Sequence, residues 1–102
     1  MNLTGNSITL VLYDITNHKL RRRIDKAMKD FGIRLQFSVF LCRLDADGIA
    51  RCYDKLRKVI IENRSYKSDS DSVIIVQRIN CDSVSCILGN EGVLNQSGFK
   101  IY

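Results

Sequence analysis

Residues 33–42, IRLQFSVFLC, decide how this chain folds. Ile33, Leu35, Phe37, Val39 and Leu41 alternate with Arg34, Gln36 and Ser38, the period-two pattern of a strand with one apolar face. No Gly, Pro, Asn or Asp marks a turn within the stretch, so the pattern fits one long strand or two strands bent back on each other. The elements on either side decide which is the better reading.

Upstream, residues 8–15 read ITLVLYDI. Ile8, Leu10 and Leu12 fall on one face of a strand and Val11, Tyr13 and Ile15 on the other, so both faces need cover. Helices can cover one face. A chain this short has little left for the other, which a second subunit could cover, and this is the first indication of a homodimer. Thr16 or Asn17 can cap a helix in which Leu20, Ile24, Ala27, Met28 and Phe31 form one apolar stripe, and Gly32 stands where a left-handed helix terminus is expected.

Downstream, LDADG at 44–48 opens a second helix with a stripe of Ile49, Cys52, Tyr53, Leu56, Val59 and Ile60. The polar run RSYKSDSDS at 64–72 is a loop, and VIIVQRI at 73–79 is a strand. A single strand at 33–42 would leave the sheet short. The favoured reading is therefore α+β, a ferredoxin-like βαββαβ sandwich over residues 1–80. Residues 81–102 form a C-terminal tail in which SCILG (85–89) and FKIY (99–102) read as extra short strands docking on a partner subunit.

The length, 102 residues, suits one domain, and 45% hydrophobic residues is a globular composition. Residues 19–67 carry fourteen of the sixteen Lys and Arg but six of the eleven Asp and Glu. That clustering favours polyanions, nucleic acid first among them, although a solvated basic surface would look the same. Cys42 and Cys52 fall on structured stretches, as buried free thiols do, and the C-x4-C spacing of Cys81 and Cys86 is wider than a zinc knuckle. No signal segment and no apolar run near 18 residues occurs, so the expectation is a cytoplasmic protein without a membrane partner.

Asp14 is the leading chemical candidate. At the end of the first strand it can help to cap the following helix, or it can bind a metal. Mg²⁺ takes one or two carboxylates, with waters and substrate phosphates completing its shell, and a dimer with its first strands near the two-fold axis would supply two copies of Asp14. Arg21, Arg22 and Arg23 cannot all point one way on a helix that turns about 100° per residue. Each is a phosphate-binding candidate or a solvated charge, and the same holds for Arg34. Ser38 has no base nearby in sequence, and His18 at a helix start reads as exposed.

Tyr13-Asp14-Ile15, then Arg21 and Arg23, then Gly32, Gln36, Ser38, Val39 and Phe40 together resemble the CRISPR-associated Cas2 family, over about residues 8–80. The resemblance implies a ferredoxin-like homodimer acting in spacer acquisition beside the CRISPR integrase Cas1, holding duplex prespacer DNA by its backbone. It also implies a Mg²⁺-dependent endonuclease of RNA or DNA with Asp14 as catalytic and metal-binding residue. Arg21, Arg22, Arg23 and Arg34 would contact nucleic acid, with Tyr13, Ser38 and Phe40 in support. Toxin endoribonucleases of the virulence-associated D class are similar to this family and share the strand-end aspartate, which makes them the alternative.

Overall fold

The computed structural model describes residues 7–89, 92 and 98–101. The elements run β1 (Ser7–Asp14), α1 (His18–Met28), β2 (Gly32–Gln36), β3 (Val39–Cys42), α2 (Ala46–Glu62) and β4 (Ser72–Asn80), then the short strands β5 (Ser85–Cys86) and β6 (Lys100–Ile101). The four long strands form one antiparallel sheet in the order β2-β3-β1-β4. This is the βαββαβ sandwich, with each helix linking two strands separated by a third.

The stretch at 33–42 is two strands. Gln36 pairs with Val39, leaving Phe37 and Ser38 as the connection. Ser38 supplies the reversal by taking a left-handed backbone, φ 63°, which L-residues adopt at a cost. The Tyr13 N–H donates to the Ser38 carbonyl at 3.0 Å and so ties this turn to the end of β1. The reversal and a register shift between Arg34 and Gln36 break the simple alternation. Phe40 and Cys42 turn into the helix-side core, while Phe37 is left 71% exposed at the tip.

Both helices start as their sequences suggest. The Asn17 side chain accepts from the Lys19 and Leu20 N–H groups, and Asp45 accepts from Gly48. Leu20, Ile24, Ala27 and Met28 of α1 and Cys52, Leu56 and Val59 of α2 pack on Val11, Tyr13, Ile15, Phe40 and Cys42. Gly32 is not the helix terminus that its position suggested. It is the first residue of β2, where a Cβ would lie 2.2 Å from the Leu41 carbonyl oxygen, so glycine is required by close backbone approach.

The far face of the sheet has a second, smaller core of Ile8, Leu41, Cys81 and Phe99. The tail thus folds back on its own chain, with β5 and β6 paired in parallel. The expectation of strands at SCILG and FKIY is met over two residues each, and Tyr102 lies outside the described residues. Leu10 packs against that core and Leu12 lies outside it, the two opposite Val76 and Ile74. All four cysteines are free, and no helix among the described residues is long and apolar enough to cross a membrane.

Candidate functional site

Asp14 closes β1 with an exposed side chain, opposite Ser72 of β4. The capping role open to it from the sequence belongs to Asn17 instead. The turn between β1 and α1 is further held by Asp71, which accepts from the Thr16 N–H at 2.9 Å and from the Ser68 N–H at 2.9 Å. These bonds, that to Ser68 first, hold the Asp71 carboxyl down at about 2. Among the described residues the Asp14 carboxylate has no hydrogen-bond or ion-pair partner, and no group of three His, Cys, Asp or Glu could hold a metal ion.

Directly before Asp14, Tyr13 is buried and anchored. Its ring stacks on Phe40 with centroids 6.3 Å apart, and its hydroxyl donates to the Asp25 carboxylate on α1. Burial first, and then that carboxylate, push the Tyr13 phenol well above the usual tyrosine range. The other Asp25 oxygen pairs with Arg34 at 3.0 Å, and the Arg34 guanidinium lies 5.4 Å from the Phe40 ring centroid. Tyr13, Asp25, Arg34 and Phe40 therefore close a ring of contacts across β1, α1, β2 and β3. Asp25 carries no motif signal in the sequence, and only the fold brings it beneath the strand end.

The arginines expected to face phosphates have separate fates. Arg21 donates to the Ile15 carbonyl at 3.2 Å, meets His18 Nδ1 at 2.8 Å and lies 5.3 Å from the Phe37 ring centroid. Arg23 turns the other way, donating to Asn63 beyond α2 and lying over Tyr66, which Lys19 also approaches at 5.6 Å. Arg22 is exposed and has no polar partner among the described residues. Arg34 is held by Asp25. Ser38 contributes its backbone turn, and Phe40 packs as core. The Asp14 end thus combines an exposed carboxylate without a partner among the described residues with Arg21, held at the neighbouring Ile15 carbonyl, and with Asp71, held at the Thr16 N–H.

On the far face, Leu10, Leu12, Leu35 and Val39 line an open depression of about 610 Å³ with Cys86, Ile87 and Leu88. Ile87, Leu88, Ile74 and Val76 are exposed.

A family model described as CRISPR associated protein Cas2 matches residues 7–83. The chain is 38% identical over 52 residues to a protein of Chloroflexus aurantiacus named CRISPR-associated endoribonuclease Cas2 3, covering 51% of this chain and 56% of that one. It is 41% identical over 51 residues to CRISPR-associated endoribonuclease Cas2 of Geobacter sulfurreducens, covering 50% and 54%. The chain spans about half the length of these curated relatives. Streptococcus pyogenes Cas2 has a similar structure, with a TM-score of 0.55 and 26% identity over 68% of this chain and 82% of that one. The hypothetical protein TT1823 from Thermus thermophilus shares the fold, with a TM-score of 0.66 and 23% identity over 84% and 96%.

Proposed function

The chain belongs to the Cas2 family of CRISPR-associated proteins, and from that membership we propose that it is a homodimeric adaptation protein that grips nucleic acid by its phosphates. In this reading the dimer binds duplex prespacer DNA next to the integrase Cas1, and two Asp14 carboxylates support metal-dependent cleavage of RNA or DNA. The observation that carries it is Asp14 itself. The carboxylate is exposed and unpaired at the end of a strand whose far face leaves Leu12 half-buried, beside the exposed Ile74 and Val76 of β4. An apolar surface of this kind marks an interaction site. A second copy meeting β1 there would bring the two strand ends towards each other.

A single chain is a poor Mg²⁺ site, with one carboxylate and no further ligand cluster among the described residues. Two copies of Asp14 provide the one or two carboxylates that Mg²⁺ takes. When bound, the ion would supply charge neutralisation at the phosphate and a more acidic water. The protein's own part is positional. The Tyr13 anchor fixes the strand end, and exposed cations such as Arg22 hold the phosphate backbone without reading sequence.

The test is Asp14→Asn, assayed for Mg²⁺-dependent cleavage of single-stranded RNA and duplex DNA and for spacer acquisition in cells. Cleavage should disappear, with fold and dimerisation unchanged. Full cleavage by the variant would remove Asp14 from the chemistry, and a monomeric wild-type protein would remove the paired site. Arg22→Glu is the cleaner probe of backbone contact, because Arg21 and Arg23 are tied up internally. It should weaken duplex binding and make its salt dependence shallower, because the slope tracks the number of phosphates neutralised.

A further inference from the structure

Phe37 is the residue that the strand pattern places with the apolar set and the fold places in solvent. It is 71% exposed at the tip of the β2–β3 hairpin, whereas Phe40 is 1% exposed. Three contacts attach this exposed ring to the Asp14 end. The hairpin is fixed to the residue before Asp14 by the 3.0 Å bond from the Tyr13 N–H to the Ser38 carbonyl. Arg21 is fixed to the residue after Asp14 by its 3.2 Å bond to the Ile15 carbonyl. The Arg21 guanidinium then sits 5.3 Å from the Phe37 ring centroid. Asp14 is thus bracketed by two anchored groups that also touch each other.

A ring with a guanidinium on one side and solvent over most of its surface offers what an unpaired nucleotide needs. The base has a π-face to lay on the ring, and its phosphate has nearby positive charge. Bases within a duplex are already stacked on each other and cannot use such a surface without being unstacked. We infer that Phe37 is a stacking platform for an unpaired nucleobase beside Asp14. The inference rests on the nucleic-acid reading above and names the side chain that would hold a base at this end.

Phe37→Ala and Phe37→Trp, each in the full chain, test it. The ligands are an oligouridylate of about 12 nucleotides, within the range that single-strand binders cover, and a duplex of equal length at the same salt. Phe37→Ala should weaken single-strand binding about tenfold, the loss of one stacked base, and leave duplex binding unchanged. The wild-type chain contains no tryptophan, so Phe37→Trp gives one fluorophore, which the single strand should quench and the duplex should not. Equal losses on both ligands, or an unquenched tryptophan, would overturn the platform. So would a change of oligomeric state in Phe37→Ala by light scattering, which would make the ring a subunit contact. Wild-type protein that binds neither ligand removes the nucleic-acid reading and the platform with it. Wild-type protein that binds both, with Phe37→Ala unaffected, removes the platform alone.

Discussion

Replacing Asp25 with alanine should destabilise the protein by about 2 kcal/mol, and the structure supplies each part of that figure. The Tyr13 hydroxyl loses its acceptor while Tyr13 stays 5% exposed, so a dry donor is left behind. A buried hydrogen bond to a charged group is worth about 1.5–3 kcal/mol. The pair with Arg34 adds less. Arg34 is 39% exposed, and a screened pair of this kind contributes about 0–1 kcal/mol. Alanine within α1 returns roughly 0.5 kcal/mol in helix propensity. For a domain of this size the net loss lowers the melting temperature by about 10 °C. Urea unfolding at neutral pH measures it, with protein concentration held fixed because dimerisation would couple to stability. The companion variants are Tyr13→Phe and the double substitution. Asp25→Ala should cost clearly less in the Tyr13→Phe background, because the hydroxyl it would strand is already gone. Equal cost in both backgrounds, or a loss below about 0.5 kcal/mol, would refute the reasoning, since surface substitutions already reach that size.

Three further outcomes follow from the same geometry. Folding raises the pKa of Tyr13, and burial raises that of Cys42 to about 12, so these groups favour the folded state while protonated. Their contribution is complete below the unfolded values near 9–10 and is lost as pH rises beyond them, so alkaline unfolding should be less steep in Tyr13→Phe; an identical profile would exclude Tyr13. Asp71 runs the other way. Its lowered carboxyl favours the folded state above about pH 4, an advantage lost as pH falls towards 2, and Asp71→Asn should flatten the acid side of the stability profile. Gly32→Ala places a methyl group 2.2 Å from the Leu41 carbonyl oxygen and should cost about 3 kcal/mol or prevent folding, and a variant as stable as wild type would contradict the β2–β3 approach.

The element order was legible because each helix and strand carries its own period. The stripe Leu20, Ile24, Ala27, Met28 and the alternation through Val11, Tyr13 and Ile15 record which side chains must leave water, a local property of the chain. Asp14 was legible as a candidate for the same reason, since it is the first charge after a buried run. Its freedom was not legible, because which of two neighbouring side chains caps a helix depends on backbone angles that composition does not set.

What the sequence determined alone is thus the set of elements, the share of the helix-side core that comes from β1 and α1, and the basic character of one segment. The tertiary structure decided the features that depend on distant partners. The turn at Phe37–Ser38 has no Gly, Pro, Asn or Asp, and its left-handed serine is held by the Tyr13 N–H from another strand. Three adjacent arginines part because each meets a different neighbour: Ile15 and Phe37 for Arg21, solvent for Arg22, Asn63 for Arg23. Asp25 gains its place from residues 12 positions before it and 9 after it, a meeting that only the closed sheet and its helix bring about. Local periodicity selects which surface is buried, and long-range packing selects which polar groups are spent on the fold and which, like Asp14, stay exposed and unpaired among the described residues.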